Sequence, residues 1–222
     1  GARTLLTGTI DVANTYTPTT AATNPGSSNV FNFSSASAQT IPTTNYYSIT
    51  NTGNGNRTLA TSGANSNLIT IANLFTPGSG TYTTTNSTIE YTGATTFTLA
   101  AFPYYNLILN STGAGTWNLA SGITLAIAND LTLAGTSTSS SLNISNTAST
   151  CSLTVAGNCY IQSRGILRTI SIGTSTGGVA TITGNLEISG TGKIHLESVS
   201  AASGTGVINV NGNFTSTGTT VA

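Results

Sequence analysis

Whatever acid–base chemistry this 222-residue chain performs must come from very few side chains: Lys+Arg 5, Asp+Glu 5 and one histidine. The carboxylates are Asp11, Glu90, Asp130, Glu187 and Glu197. Cleaving a polysaccharide needs two such groups converging, one as acid and one as base or nucleophile. Glu187 has the best prospect of a neighbour, with Asp130 and Asn158 at related positions before it and His195 and Glu197 just after. In Lys193-Ile194-His195-Leu196-Glu197, alternation places Lys193, His195 and Glu197 on one strand face. That trio reads either as a small acid–base site or as the solvated face of an outer strand. The second reading is preferred, because nothing in the spacing forces a second carboxylate nearby. No catalytic residue is assigned and no enzyme is expected; Glu187, His195 and Glu197 are kept as candidates for a ligand site.

Other chemistries fare no better. A calcium roll would need carboxylates repeated at one turn position, and Asp130 is the only acid there. No metal or other cofactor is expected. The cysteines, Cys151 and Cys159, face the same way by alternation. They are either a local disulfide of an exported protein or two buried thiols acting as small hydrophobes, and the sequence leaves both open. Tyr46-Tyr47, Tyr104-Tyr105 and Trp117 suit sugar binding in principle, but their recurrence favours packing. A threonine face at Thr81, Thr83 and Thr85 suggests ice binding only as a minor alternative.

The elements that must position these residues show themselves by repetition. Val155-Ala156-Gly157-Asn158-Cys159-Tyr160-Ile161 returns as Ile182-Thr183-Gly184-Asn185-Leu186-Glu187-Ile188 and as Val210-Asn211-Gly212-Asn213-Phe214-Thr215-Ser216. A looser copy begins at Ile127, so the motif starts at positions 127, 155, 182 and 210. A nearly fixed period of about 28 residues marks a solenoid. Each unit is an apolar strand end, a tight turn and a new alternating strand. Stacking predicts a turn ladder of Asp130, Asn158, Asn185 and Asn213, with a core ladder of Leu131, Cys159, Leu186 and Phe214 just inside it. Earlier echoes lie about twice as far apart, as in Phe33 to Tyr91 and Val12 to Ile71, and read as two turns each.

The predicted fold class is therefore all-β: a right-handed parallel β-helix, or β-solenoid, with about seven or eight turns of roughly 27–30 residues. Residues 1–29 are expected to be an irregular or first-coil segment. Residues 30–222 read as one continuous solenoid, truncated at the C-terminus so that something must continue or cover it. Low charge fits the stack, since like charges one rung apart repel while Asn, Thr and Ser bond along the column. The formal net charge of zero leaves no electrostatic footprint for nucleic acid, and no run is long enough to insert in a membrane.

Around Gly157-Asn158, Gly184-Asn185-Leu186 and Gly212-Asn213-Phe214 the chain resembles repeats of very large surface proteins of Bacteroidetes bacteria, over roughly residues 30–216. The resemblance implies β-helical stalks, export by the type IX secretion system to the cell surface or medium, and adhesion or gliding motility. The expected function is a structural or adhesive segment of a long extracellular solenoid that spaces or presents binding modules. Its expected partners are adjoining repeats of the same chain, secretion machinery or surface proteins, and polysaccharide. The alternative is a carbohydrate-binding or polysaccharide-cleaving β-helix.

Overall fold

The computed structural model describes residues 7–19, 28–136, 139–144, 150–169, 177–196 and 206–217. Among them there is no helix, and every strand-to-strand ladder is parallel. The molecule is a β-solenoid of about seven turns, divided into two compact units, Gly1–Thr92 and Gly93–Ala222. Parallel pairing follows from the coil: each strand meets its neighbour only after the chain has gone once around, so consecutive strands belong to different sheets.

In the first unit, Gly8–Val12, Asn29–Phe33, Ser48–Thr50 and Phe75–Thr76 form one sheet. Gln39–Ile41, Arg57–Leu59 and Tyr82–Thr83 form a second, and Asn45–Tyr46, Leu68–Ile71 and Thr88–Tyr91 pair along a third side. The segment 1–29 thus already contains a strand, Gly8–Val12, in register with Asn29–Phe33. Turns here are uneven: a short one carries Val30 to its partner Ser48, and a longer one carries Ile49 to Phe75. The longer echoes in the sequence are not two turns each. Phe33 and Tyr91 lie on different sheets, as do Val12 and Ile71. What repeats is the apolar-polar-apolar pattern of any one side, slipped onto another side of the coil.

The second unit has three sides as well. Asn106–Ser111, Leu131–Gly135, Cys159–Ile161, Leu186–Ile188 and Phe214–Ser216 stack on the first. Thr96–Thr98, Thr116–Asn118, Ser140–Asn143, Gly165–Arg168 and Lys193–His195 form the second, and Thr124–Ile127, Ser152–Val155, Val179–Ile182 and Val207–Val210 the third. The even spacing read from the sequence holds along the third side, where Thr124, Ser152, Val179 and Val207 are in register. It holds along the first side from Leu131 onward. Earlier turns are shorter, as between the partners Thr96 and Thr116.

Alternation decides what is inside. Asn106–Ser111 alternates half-buried and buried residues, sending Leu107 and Leu109 inward at 0% exposure. Columns such as Leu125, Leu153, Ala180 and Ile208 run up the interior. Burying one such aliphatic side chain stabilises the fold by about 1.5–3 kcal/mol. A rung cannot bury its own inner face; only its neighbours cover it. Phe214, on the last described rung, accordingly stays 52% exposed.

Candidate functional site

The turn before the first side of the second unit is where the sequence repeat is strongest. Leu131, Cys159, Leu186 and Phe214 stand in register there on successive rungs. One residue earlier, side-chain oxygens tie each rung to the next. Asp130 Oδ1 accepts the Asn158 N–H at 2.7 Å, Asn158 Oδ1 that of Asn185 at 2.9 Å, and Asn185 Oδ1 that of Asn213 at 2.9 Å. The backbone answers in the other direction: Cys159 N–H donates to Asn185 O at 2.8 Å and Leu186 N–H to Asn213 O at 2.9 Å. Each turn therefore satisfies two polar groups of its neighbour. Asn106 continues this ladder downward, its Oδ1 accepting from Asn129 Nδ2 at 2.8 Å and Asp130 N at 3.3 Å. No Gly-Asn precedes it in the sequence, which is why the repeat hides it.

The glycine before Asn158, Asn185 and Asn213 is demanded by this closeness. A Cβ on Gly184 would lie 2.5 Å from Gly157 O, 2.7 Å from its carbonyl carbon and 2.8 Å from Asn158 Oδ1. Gly212 meets the same obstruction from Gly184 and Asn185. The ladder oxygens are spent on neighbouring amides, leaving a structural seam. Among the described residues no group of three or more His, Cys, Asp or Glu is placed to hold a metal.

Of the ligand-site candidates, Glu187 and His195 stand on different sides. Glu187 sits on the first side of the second unit, in register with Tyr160 and Thr215. His195 lies on the second side, paired with Arg168, while Lys193 pairs with Ile166. Burial lowers the His195 pKa, and the charges of Arg168 and Lys193 lower it further. Among the described residues, the charges that act on it are thus cationic. Glu197 lies outside the described residues. Cys151 and Cys159 are both buried thiols, with no disulfide between them. Cys151 Sγ donates to Ala120 O at 3.2 Å, and burial pushes the Cys159 thiol up to about 12.

Sequence reasoning missed Arg57. Arg57 is completely buried, in the inward column Gln39, Arg57, Tyr82 of the first unit. Its guanidinium donates to Phe33 O at 2.9 Å, Ser35 O at 2.8 Å, Ser37 O at 3.2 Å and Asn56 O at 3.3 Å. Gln39 does the same for the turn before, with Nε2 donating to Val12 O at 2.7 Å and Asn14 O at 2.5 Å. Tyr82 donates to Pro77 O at 2.7 Å. These are corner plugs. They donate to carbonyls where the chain bends between sides, two of which, Val12 O and Phe33 O, also accept a backbone N–H from the next turn. Burial lowers the Arg57 pKa, and no carboxylate is among these hydrogen-bond partners. Alternation gave the signal, since Arg57 stands at an inward slot of Arg57–Leu59.

No family model matches the chain, and neither a curated protein nor a solved structure is detectably similar to it. Function must be argued from this geometry alone.

Proposed function

We propose that the chain is a structural and adhesive segment of a long extracellular β-solenoid surface protein, spacing or presenting binding modules and carried outward by type IX secretion. The observation that carries this reading is the seam from Asn106 to Asn213, in which each turn completes the backbone of the next. Such a rung can be added indefinitely, because it asks its neighbour only for the same rung again. A stack of this kind suits length and stiffness, as in a stalk. The polysaccharide-cleaving alternative has less support, since Glu187 and His195 stand on different sheets.

Antibody raised against this chain tests the reading. It should label intact cells of the source, and brief protease treatment of those cells should remove the label. Labelling that appears only after permeabilisation would overturn the surface assignment. Proteins carrying more copies of the repeat should lengthen by about 4.8 Å per added turn in small-angle scattering; growth in all three dimensions would overturn the stalk.

A further inference from the structure

The chain contains two Asn-Gly pairs, Asn54-Gly55 in the first unit and Asn211-Gly212 in the second. In such a pair the asparagine side chain is open to attack by the next backbone nitrogen, because glycine has no Cβ to shield it. The two pairs stand in opposite circumstances. Asn211-Gly212 is pinned to the rung before it: Asn211 N–H donates to Ile182 O at 2.9 Å and Gly212 N–H to Gly184 O at 3.2 Å. Among the described residues, by contrast, Asn54 and Gly55 form no hydrogen bond through main chain or side chain. Asn54 is exposed, in the bend that carries the chain from Ser48–Thr50 to Arg57–Leu59. Only the flanks of this pair are held, Gly53 N–H donating to Phe33 O at 3.3 Å and Asn56 O accepting from Gln39 N–H at 2.9 Å.

We infer that Asn54 is a site of spontaneous deamidation, and that the reaction loosens the Arg57 plug beside it. The Gly55 amide nitrogen gives its proton to hydroxide and attacks the Asn54 side-chain carbonyl carbon. A C–N bond forms and the Cγ–Nδ2 bond breaks. The departing nitrogen takes up a proton from water and leaves as ammonia, and a five-membered succinimide remains. Water then opens that ring at either carbonyl, yielding aspartate or isoaspartate. A hydrogen bond donated by the glycine amide holds both the proton that must leave and the nitrogen that must swing. Asn211 therefore reacts only when its rung opens, whereas Asn54 needs no opening.

The two products differ in consequence. Aspartate adds an exposed charge and leaves the main chain as it was. Isoaspartate routes the main chain through the side-chain carbon and lengthens it by one carbon, in a bend without room to spare. A Cβ on Gly53 would run into Ser35 O and lie 2.5 Å from Arg57 Nη2, and one on Gly55 would run into Ser37 O. Those two carbonyls accept from the Arg57 guanidinium, at 2.8 and 3.2 Å. The longer chain pushes the glycines against them and draws them off the guanidinium. The bend thus works as a slow clock: the first unit weakens with age, while the seam of the second keeps its amides.

The test incubates the whole chain for weeks in mildly alkaline buffer, folded and in urea, and follows both asparagines by peptide mass spectrometry. In the folded chain Asn54 should convert at least about tenfold faster than Asn211, the protection that two backbone hydrogen bonds provide. In urea the two rates should converge. Protein isoaspartyl methyltransferase should label the Asn54 peptide of the aged chain. The tyrosine-detected urea midpoint should fall with age in the wild type and hold in Asn54→Gln, whose extra carbon makes ring closure slow. If Asn54 stays an amide, converts no faster than Asn211, or keeps its lead in urea, the site is overturned. Isoaspartate at position 54 with an unmoved tyrosine midpoint would overturn the effect on the plug.

Discussion

The two units solve one problem in different ways. Wherever a coil bends between sides, backbone groups lose their strand partners and must find others. In Gly93–Ala222 the answer at the Gly-Asn turn is the same on each rung: a short side-chain oxygen caps the amide one turn on, as from Asn158 to Asn185. In Gly1–Thr92 the turns differ in length, from the short one joining Val30 and Ser48 to the longer one joining Ile49 and Phe75, and such caps stand singly, as where Asn32 Oδ1 accepts the Thr52 N–H at 3.2 Å, without forming a ladder. The bends that lead into the sheet of Gln39–Ile41, Arg57–Leu59 and Tyr82–Thr83 receive a long polar side chain each from inside, Gln39, Arg57 and Tyr82. Regular spacing permits a shared device, and irregular spacing requires individual ones. Breaking an individual plug should therefore hurt most.

Arg57→Met is expected to destabilise the first unit by about 3–5 kcal/mol. It fills much of the same volume but strips Ser35 O and Ser37 O of their charge-assisted donor. Urea unfolding can be followed unit by unit. Tyrosine emission is weighted to the first unit, which holds Tyr16, Tyr46, Tyr47, Tyr82 and Tyr91, while the chain's single tryptophan, Trp117, lies fully buried in the second. The tyrosine midpoint should fall well before the tryptophan midpoint. An unchanged tyrosine transition would mean that the plug is dispensable and the contrast between the units is wrong.

Gly184→Ala tests the shared device. The added Cβ meets backbone atoms of the rung below, which cannot swing aside, so a loss of about 2–3 kcal/mol is expected. Gly122 supplies the control: its φ is +72 and an added Cβ meets nothing within 4 Å. Alanine there should cost about 1 kcal/mol, from backbone conformation alone. Equal losses at the two glycines would show that the rungs are not closely apposed at the seam.

The ease with which each device can be read from sequence follows the same division. The seam was legible because a motif of Gly-Asn plus alternation recurs at nearly constant steps, and Asp130, Asn158, Asn185 and Asn213 could be aligned by counting. Asn106 escaped because its turn lacks the glycine and its step to Asp130 is shorter than those that follow. The plugs were passed over, although alternation marks Arg57 as inward, for a deeper reason. An inward arginine breaks the expectation that polar residues face water, and its partners are carbonyls, which every residue possesses. The longer echoes, such as Phe33 with Tyr91, misled because any side of the coil obeys the same alternation. A repeat in pattern is therefore no proof of a repeat in position.

The thiol at Cys159 measures how well the regular column is closed. Its pKa is pushed up to about 12 by burial, against an ordinary value of 9.0. The folded state therefore holds the proton more tightly than the unfolded state. Stability from this group is fully present below about pH 9 and is lost as pH rises towards about 12, by roughly 1.4 kcal/mol per pH unit. Between about pH 8 and pH 10 the wild-type urea midpoint should fall more than that of Cys159→Ala. Parallel falls in both proteins would mean that water reaches the column between Leu131 and Leu186.

The smallest effect expected is at Asn158→Asp, and it separates geometry from charge within the seam. Aspartate keeps the acceptor that Asn185 N–H requires, and Asp130 already fills the same role one turn below. What changes is that two carboxylates now stand one rung apart, about 4.8 Å. In water that repulsion is worth about 0.5–1 kcal/mol, partly offset by a stronger charge-assisted bond to the amide. The variant should therefore be slightly less stable at low ionic strength and recover in about 1 M salt, where screening acts over about 3 Å. Adding Asp130→Asn to Asn158→Asp should restore stability without salt, because the seam tolerates either residue but not two adjacent charges. If the double variant instead loses stability further, the neutral and ionised rungs are not interchangeable, and the low acid content of the repeats needs a cause other than repulsion along the column.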